Sequence, residues 1–529
     1  MKTSTLVSKI ISRVAFLCLL TFAFIANNAN AQISVSGGTG LAATYTSLTK
    51  AGGLFAALNA NAQTGNSVVV SITTDVTDET GANALNQGAW TSLTITPSGA
   101  RTMSGAVGGI LLDINGADNV TINGLNTGGN SLILSNSNTG STAAIRFTND
   151  ATSNTITNCT VRGSGNTGFY GVIVFAGGAT SGNDNNTISN CTITAAGSNL
   201  PLSCVVSNGT SAAIANNNNT ISGNNIADFF NATSASYGVY LTTTGNDAWT
   251  VSNNKFYQTA SRTYTGATTH SAITLNSGNG HTISGNTIGY ANSSSTGTYT
   301  MLGTVATRFI GINLSVGTTT ATSVQGNTIA SVNLTGSNAN STTTASIVGI
   351  NIGLGNVNIG TTTGNTIGAT SGQHSIVNNT TGSAGGIVGI YSSSTGTINI
   401  SNTTIASLTD TSATASNALG IYAIYVGAVA TSFTVANCTI GNSTAHNIIA
   451  GRLNFTTGAC IVAGIAGVST STSINYNNNT IQNLSGYGAT ASGFTKGIYT
   501  TTSGSTTAAT IYNNTLSTRQ NIVTDFEVV

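Results

Sequence analysis

The segment Thr187-Ile-Ser-Asn-Cys-Thr-Ile193 recurs as Thr220-Ile-Ser-Gly-Asn-Asn-Ile226 and as Thr282-Ile-Ser-Gly-Asn-Thr-Ile288. Its last apolar residue serves as an anchor that can be followed along most of the chain. The twelve anchors are Leu125, Val161, Ile193, Ile226, Phe256, Ile288, Ile329, Ile367, Ile405, Ile440, Ile481 and Leu516. Successive anchors lie 30 to 41 residues apart, about 35 on average. A period of this length indicates a stack of structural repeats.

Two further columns keep a fixed distance from the anchors. Five residues before each anchor the residue is apolar or aromatic, with Thr362 as the exception. Two residues before the anchor, four positions hold Cys159, Cys191, Thr403 and Cys438. The other eight are asparagines: Asn123, Asn224, Asn254, Asn286, Asn327, Asn365, Asn479 and Asn514. Because strand side chains alternate between faces, this column shares the inward face of the anchor, and stacking at about 4.8 Å predicts a ladder of hydrogen-bonded amides.

A third strand precedes these two, and a glycine introduces it in each case. Its examples are Gly238-Val-Tyr-Leu241, Gly311-Ile-Asn-Leu314, Gly349-Ile-Asn-Ile352, Gly420-Ile-Tyr422 and Gly497-Ile-Tyr499. The pattern predicts an all-β chain, a right-handed parallel β-helix of twelve coils with three short strands each, over residues 101–529. An antiparallel sandwich also has many short strands, but nothing in it requires asparagine at one phase of a 35-residue period.

The two ends of the sequence differ from the coils. Residues 1–31 have basic residues, a short apolar run and Ala29-Asn-Ala31, which predicts a signal peptide and an exported chain. Residues 32–100 are predicted to form an N-terminal cap, with a helix over about 46–61 that begins at Thr46 or Ser47 and covers the first coil. Only thirteen residues follow Leu516. Either a partner covers that edge or the chain is truncated, and we expect truncation.

Composition limits the function. Charged residues make up 5% of the chain, and without residues 1–31 ten basic side chains face twelve acidic ones. This balance excludes nucleic acid and anionic membranes as partners. No stretch of the mature chain is long enough for a membrane helix. The sequence predicts no cofactor and no metal site, and it leaves the oligomeric state open.

Catalytic residues are scarce. Between Leu125 and Leu516 the acids are Asp150, Asp184, Asp228, Asp247 and Asp410. Asp150 and Asp184 alone have the spacing of a pair on stacked coils, and we expect them to be solvated loop residues rather than a catalytic or calcium pair. His281 follows Gly280 without a second glycine and is predicted to be a solvated turn residue.

Aromatic and basic residues suggest where a ligand binds. One group clusters in three coils and comprises Trp249, Tyr257, Arg262, Tyr264 and His270. A second region is the set of long connections 289–310, 368–389 and 441–464, with Tyr290, Arg308 and Arg452, since binding residues are often on loops. Cys159 and Cys191 are neighbours in the ladder column, so that a disulfide and two buried free thiols are both open interpretations.

The helix-bearing opening, the segment Arg101-Thr-Met-Ser104 and the Asn-Thr-Ile coils resemble the β-helix surface proteins of Bacteroidetes that are linked to type IX secretion. Many such proteins carry a C-terminal sorting domain, which this sequence lacks. The resemblance implies an extracellular or cell-surface protein. We therefore expect a non-catalytic stalk, adhesin or scaffold that binds a polysaccharide or another surface protein, the alternative being a polysaccharide lyase or glycoside hydrolase of the same architecture.

Overall fold

A computed structural model describes ten stretches of the chain. They are residues 32–242, 245–336, 345–380, 384–411, 418–428, 430–451, 459–468, 473–487, 494–501 and 509–521. The predicted signal peptide lies outside them. In the described residues no helix is long and apolar enough to cross a bilayer.

Nearly all regular structure belongs to three long sheets. Sheet A holds the strands that precede the ladder position: Ile33–Ser36, Thr44–Tyr45, Ser67–Ile72, Ser92–Pro97, Val120–Asn123, Thr155–Thr157, Thr187–Ser189, Thr220–Ser222, Thr250–Ser252, Thr282–Ser284, Thr322–Gln325, Val357–Ile359, Thr397–Ser401, Ser432–Ala436, Ile474–Asn477 and Ala509–Tyr512. From Ser67–Ile72 onward every pairing in this sheet is parallel, for example Ile188 with Ile221 and Ile221 with Val251.

Sheet B follows the ladder position in each coil. Its strands are Ala100–Gly105, Ser131–Gly140, Cys159–Gly165, Thr192–Ala195, Asn225–Ala227, Lys255–Tyr257, Arg262–Tyr264, Thr287–Gly289, Tyr299–Gly303, Thr328–Ala330, Val332–Gly336, Thr366–Gly368, Ile376–Thr380, Thr404–Ala406, Leu408–Thr411, Thr439–Ile440, Ile448–Gly451, Thr480–Tyr487 and Thr515–Asn521. All of them pair in parallel with strands of the neighbouring coils.

Sheet C contains the predicted third strand. Its members are Leu85–Asn86, Ile110–Asn115, Ala143–Thr148, Ile173–Phe175, Ser203–Ser207, Ser236–Leu241, Thr269–Leu275, Arg308–Ser315, Ile347–Leu354, Ala384–Ser392, Ala418–Val426, Cys460–Val468 and Phe494–Thr501. A separate pair, Asn216–Asn217 with Asn246–Asp247, lies at the corner between sheets C and A. The three parallel sheets form a parallel β-helix, as predicted, and one continuous apolar core runs inside it.

The bend between sheets A and B has a local cause. From Cys159 onward the residue just before the ladder position is asparagine or glycine, and most of these residues have a positive φ, such as 55° at Asn158, 68° at Gly223 and 56° at Asn437. Only glycine and, among other residues, mainly asparagine and aspartate adopt this left-handed conformation at low cost. The Gly-Asn and Asn-Cys dipeptides of the motif thus favour the turn after which the ladder side chain points inward.

The predicted amide ladder is present, and an amide that lies between two other ladder asparagines makes four hydrogen bonds. The Asn254 Oδ1 accepts from the backbone N–H and the Nδ2 of Asn224, both at 2.9 Å. The Asn254 Nδ2 in turn donates to the Ile221 carbonyl at 2.8 Å and to the Asn286 Oδ1 at 3.0 Å. Every donor and acceptor of a fully buried amide is satisfied in this arrangement, so that burial leaves no unpaired polar group.

The predicted columns were wrong in two coils. In the first coil Ile122 takes the place predicted for Val120, and Leu134 takes the place predicted for the anchor Leu125. Asn123 pairs with Thr157 and is half-exposed, because Leu132 occupies the ladder position beside Cys159 in that coil. Thr362 is likewise not in the apolar column, where Ile359 pairs with Val324 and Ile400. Both errors arise because the turn after the sheet A strand is longer in these coils than the fixed spacing assumes.

A second amide ladder, which the sequence analysis missed, runs along the start of sheet A. The Asn186 Oδ1 accepts from the backbone N–H and Nδ2 of Asn154, and the Asn219 Oδ1 accepts the same pair of bonds from Asn186. His281 continues this column, where its Nδ1 accepts from the Trp249 backbone N–H at 3.1 Å. His281 is fully buried, and burial lowers its pKa, so the prediction of a solvated turn residue was wrong.

The coils change in construction along the rod. Up to Ala227 each coil gives one strand to each sheet, as predicted, but from Lys255 to Gly451 sheet B receives two strands from each coil. In the last two coils these two strands are merged into one, Thr480–Tyr487 and Thr515–Asn521. The added strands include Tyr299–Gly303, Ile376–Thr380 and Ile448–Gly451, which lie inside the connections predicted to be loops. Much of each long connection is therefore a fourth wall of the coil.

The N-terminal cap is smaller than predicted. Its helix spans Leu54–Ala60 rather than 46–61, with Gly53 at the N-cap, and it buries Leu54, Phe55 and Leu58 in the core beside Leu85–Asn86. The preceding turn is held by the buried Glu79 carboxylate, which accepts from the Ser47 hydroxyl and from the Leu48 and Thr49 backbone N–H groups. Residues 46–53 therefore form a turn held by hydrogen bonds to Glu79 instead of the first part of the predicted helix. The strands Ser67–Ile72 and Ser92–Pro97 are already coil strands, so the parallel sheets begin before residue 101.

Candidate binding face

Three of the residues predicted to bind a ligand lie in the core. Trp249 is fully buried, donates its Nε1–H to the Asn216 carbonyl at 2.7 Å and meets the edge of Phe175. Tyr264 is buried and donates to the Thr335 carbonyl at 2.6 Å. His270 stacks on Phe230, and burial lowers its pKa to about 4. These positions contradict the expected surface exposure of the three side chains.

Arg262 and Tyr257 belong to a structural network. The Arg262 guanidinium pairs with the Asp228 carboxylate and donates from Nε to the Gln258 Oε1 at 2.5 Å. Asp228 also accepts from the Thr259 backbone N–H at 3.0 Å, and Tyr257 is almost completely covered. The ion pair links two stacked coils, so the Arg262 charge that was predicted to contact a ligand is paired within the protein.

The remaining predicted residues have different surroundings. Tyr290 is half-exposed in a left-handed turn, with φ at 68°. Arg308 begins a sheet C strand, is half-exposed, and donates from Nε to the Ala345 carbonyl at 3.0 Å. Arg452 lies outside the described residues. Of the predicted set, Arg308 is the residue that sheet C places beside the face described below.

The carboxylates of Asp150 and Asp184 both accept hydrogen bonds from the backbone of the neighbouring coil. Asp150 accepts hydrogen bonds from the Thr180, Ser181 and Gly182 backbone N–H groups and from the Thr180 hydroxyl. Burial alone raises its pKa, but these bonds outweigh burial and lower the pKa to about 2. Asp184 accepts from the Asn217 backbone N–H at 2.7 Å, and its pKa is raised, mainly by burial. A carboxylate surrounded by N–H donors is a poor cation ligand, and the described residues contain no group of three His, Cys, Asp or Glu that could hold a metal ion.

The cysteines of the ladder column are free thiols. The Cys191 Sγ accepts from the Cys159 backbone N–H at 3.4 Å, so it occupies the place that an asparagine oxygen has elsewhere. The hydrogen bond to Cys191, together with burial, raises the pKa of the Cys159 thiol well above its ordinary value. Of the two interpretations, the structure has the two buried thiols.

The side of sheet C that faces away from the main core carries two columns of side chains, many of them buried, whose chemistry varies along the rod. Register pairs along the first column give Asp113, Arg146, Val174, Val206, Tyr240, Thr274, Asn313, Asn351, Tyr391, Tyr425, Ala466 and Tyr499. The second column, beside it, gives Ser203, Tyr237, Ser271, Ile310, Val348, Val388, Tyr422, Ala463 and Lys496.

Aromatic rings collect at the C-terminal end of this surface. We name the set Tyr391, Tyr422, Tyr425, Phe494 and Tyr499 the tyrosine platform. Tyr391 and Tyr425 stack with ring centroids 5.8 Å apart and planes 10° apart, and Tyr422 meets Tyr425 edge to face at 5.0 Å. Ala463 and Ala466, on the next coil, are fully buried under the neighbouring rings. Tyr391 and Tyr422 are nearly covered in this cluster, whereas Tyr425, Phe494 and Tyr499 are half-exposed and form its accessible part.

The platform is electrically neutral except at its end. Burial, followed by the neighbouring Tyr391 and Tyr499, raises the pKa of Tyr425, so its hydroxyl is uncharged at neutral pH. The Lys496 Nζ lies 4.4 Å from the Tyr499 ring centroid and 5.0 Å from that of Phe494. Contact with two ring faces stabilises the ammonium through cation–π attraction.

A second, smaller aromatic pair lies about halfway along the rod. Tyr237 and Tyr240 stack at 4.2 Å, and burial raises the pKa of Tyr237 to about 12. Nearby, at the corner of sheets C and A, a cleft of about 490 Å³ is lined by polar residues, among them Ser211, Asp247 and Asn279. The Asp247 carboxylate accepts from the Asn279 backbone N–H, which fixes its direction at the cleft.

Comparison with known proteins gives little beyond the fold. No family model and no curated protein matches the chain. Among solved structures, the Siphovirus 9NA tailspike receptor binding domain is similar at 11% identity over 90% of this chain and 76% of that chain, with a TM-score of 0.19. A likeness this weak carries no functional argument.

The sequence contains a motif for the platform that the search for charged and bulky residues missed. Gly311-Ile-Asn313, Gly349-Ile-Asn351, Gly389-Ile-Tyr391 and Gly497-Ile-Tyr499 share one register, and their third residue points outward. Gly420-Ile-Tyr422 does not share it, because Ala423-Ile-Tyr425 occupies that position. Aligning the strands by their glycine alone therefore hid the column.

Proposed function

We propose that this chain is a non-catalytic extracellular rod that binds a polysaccharide or surface glycan along the outer face of sheet C. The observation that supports the proposal is the tyrosine platform, a packed aromatic cluster on a parallel sheet in which Tyr425, Phe494 and Tyr499 are half-exposed. Aromatic side chains combine a large apolar contact area with a polar tip and few rotatable bonds, and this combination suits the mixed apolar and hydroxyl surface of sugars. Rigid display keeps the ordering cost of binding low.

Export and surface display complete the proposal. Residues 1–31 have the pattern of a signal peptide, and the coils resemble those of Bacteroidetes surface proteins of the type IX secretion group. A stalk or adhesin of this kind needs a rod and a contact surface rather than a reaction centre. Sequencing of the secreted chain is expected to give Gln32 as its first residue, and retention in the cytoplasm would contradict export.

The test of glycan binding compares two tyrosines. Purified mature protein, Tyr425→Ala and Tyr512→Ala are applied to a panel of immobilised polysaccharides. Tyr512 is the matched control, since it is exposed on sheet A, away from the platform. We expect Tyr425→Ala to bind about tenfold more weakly and Tyr512→Ala to bind as the parent does.

A depolymerisation assay separates binding from catalysis. The same polysaccharides are incubated with the protein, and the products are analysed by mass spectrometry. We expect intact polymer, because Asp150, Asp184 and Asp228 are engaged by scaffold donors. Release of oligosaccharides would contradict the proposal and favour a lyase or glycosidase.

A further inference from the structure

We infer that the ligand of the tyrosine platform is an acidic polysaccharide, one that carries carboxylate or sulfate groups along its chain. The inference rests on the proposed function, and it goes further by naming the charge of the ligand. It is drawn from the distribution of charge along the rod and from the two cations beside the platform.

The two halves of the chain have opposite charge. Residues 32–247 contain nine acidic and four basic side chains, whereas residues 248–529 contain six basic and three acidic ones. Between Asp247 and Asp525 the one acid is Asp410, which is fully buried. The whole-chain balance, close to neutral, thus conceals a rod with an acidic and a basic half, and the platform belongs to the basic half.

Two basic side chains flank the platform along sheet C, Lys496 within its last strand and Arg308 two strands before that of Tyr391. Arg308 is at the start of a sheet C strand, on the coil that carries Asn313, and the Lys496 ammonium lies against Tyr499 and Phe494. Five steps along the sheet separate their strands, which corresponds to about 24 Å at the usual strand spacing. Between the two coils, Asn351, Tyr391 and Tyr425 present uncharged polar and aromatic groups.

This arrangement matches an extended acidic chain better than a neutral one. The rings offer faces to successive sugar residues, and the two cations offer charge-assisted hydrogen bonds to anionic groups spaced along the polymer. A positive surface also raises the rate at which a polyanion arrives, and added salt screens this effect. A neutral glycan would gain contact with the rings and nothing from the two charges.

The experiment measures dissociation constants by isothermal titration calorimetry for three probes: polygalacturonate, chondroitin sulfate and dextran. Each is titrated into the full mature protein, Lys496→Gln, Arg308→Gln and the control Lys255→Gln, in low and high sodium chloride. Lys255 is exposed on sheet B, where its Nζ donates to the Ser293 carbonyl, so its replacement removes the same charge away from the platform. Circular dichroism verifies that each variant is folded.

We expect at least one of the two anionic polymers to bind more tightly than dextran, with the preference reduced in high salt. Lys496→Gln and Arg308→Gln should each weaken that binding about three- to fivefold, and Lys255→Gln should leave it unchanged. Because chondroitin sulfate carries carboxylates as well as sulfates, tighter binding of polygalacturonate would show that carboxylates suffice, and tighter binding of chondroitin sulfate would show that sulfate or the different sugar backbone contributes. Arg308→Lys, which keeps the charge, should restore part of the affinity.

Two failures are distinguishable. Equal binding of dextran and both anionic polymers, or equal effects of Lys496→Gln and Lys255→Gln, would overturn the acidic ligand while leaving glycan binding intact. Absence of binding to every polysaccharide would overturn the proposed function itself, and the inference with it.

Discussion

Two columns of side chains on the same coils have opposite properties. The inward ladder column repeats one chemistry, with amides at Asn224, Asn254, Asn286, Asn327 and Asn365 in succession. The outer column of sheet C changes from Asp113 and Arg146 through valines to asparagines and tyrosines over the same rod. Repetition inside specifies how coils stack, and variation outside distinguishes one part of the surface from another.

The largest effect on stability is expected at Asp410, a buried carboxylate in an interior whose other buried polar groups are mostly uncharged. Asp410 is fully buried, where it accepts from the Asn378 Nδ2 and the Gly420 backbone N–H, and burial raises its pKa to about 7. Because the folded pKa lies above the unfolded value near 4, the stability is complete below pH 4 and declines as pH rises to about 7. The loss should reach about 4 kcal/mol.

Urea denaturation between pH 4 and pH 8 measures this decline. The control is Asp410→Asn, which cannot ionise and whose amide can donate to the Asn378 Oδ1, an atom that has no partner in the structure. Its stability should not fall over the same interval. Parallel pH profiles for the two proteins would refute the assignment to Asp410.

Removing one rung of the ladder comes next in size. Asn286→Ala leaves the Asn254 backbone N–H and Nδ2 without their shared acceptor in the core, and we expect a loss of about 3 kcal/mol in unfolding free energy. The control from the outer column is Asn351→Ala at a half-exposed position. This change removes a hydrogen bond of similar length, which the Asn351 side-chain amide donates to the Asn313 Oδ1. It should lose under about 1 kcal/mol. Comparable losses would mean that burial does not distinguish the two columns.

The turn that aims the ladder inward gives a smaller effect. Asn253 has φ at 55°, so Asn253→Val should cost about 1–2 kcal/mol and Asn253→Gly should be nearly neutral. Thermal unfolding followed by circular dichroism compares the two variants. If valine and glycine behave alike, the left-handed conformation is not what selects asparagine here.

The smallest expected effect is a gain. The Asn224 Oδ1 accepts from the Cys191 backbone N–H, and Cys191→Asn would add an Nδ2 donor to the same oxygen. We expect about 1 kcal/mol of stabilisation in a denaturant titration. Cys438→Ala, which removes a thiol from the same column without adding a donor, should not stabilise the protein. Destabilisation by Cys191→Asn would indicate that the wider sulfur is required at this coil.

Sequence alone located the first ladder and the coils because that part of the interior is periodic, and it missed the second ladder at the start of sheet A. The Asn-Thr-Ile phase located the ladder from Cys159 to Asn514 and the parallel coils around it. It failed at Asn123 and Thr362, where the length of a turn changes and fixed spacing no longer follows the register. Turn length depends on contacts between coils, which a single segment does not reveal.

The surface was harder to predict because residue type does not state direction. The residue types of Trp249 and His270 suggest ligand binding, but both side chains are buried, as the pairing of the neighbouring strands requires. The outward direction of Tyr391 and Tyr425 could have been predicted, because each follows an isoleucine that faces the core and strand side chains alternate. Knowing which strands align across coils is what converts a list of tyrosines into a surface.

The ladder also gives the rod an electrical direction. From Asn224 to Asn327 each ladder amide accepts through its Oδ1 from the preceding coil and donates one Nδ2–H to the Oδ1 of the following coil, and the backbone N–H of each residue points the same way. Aligned amide dipoles add, as they do along an α-helix, and a core of low dielectric screens them weakly. The interior therefore carries a cumulative dipole whose positive pole lies toward the C-terminal coils, the same half of the rod in which basic side chains outnumber acidic ones.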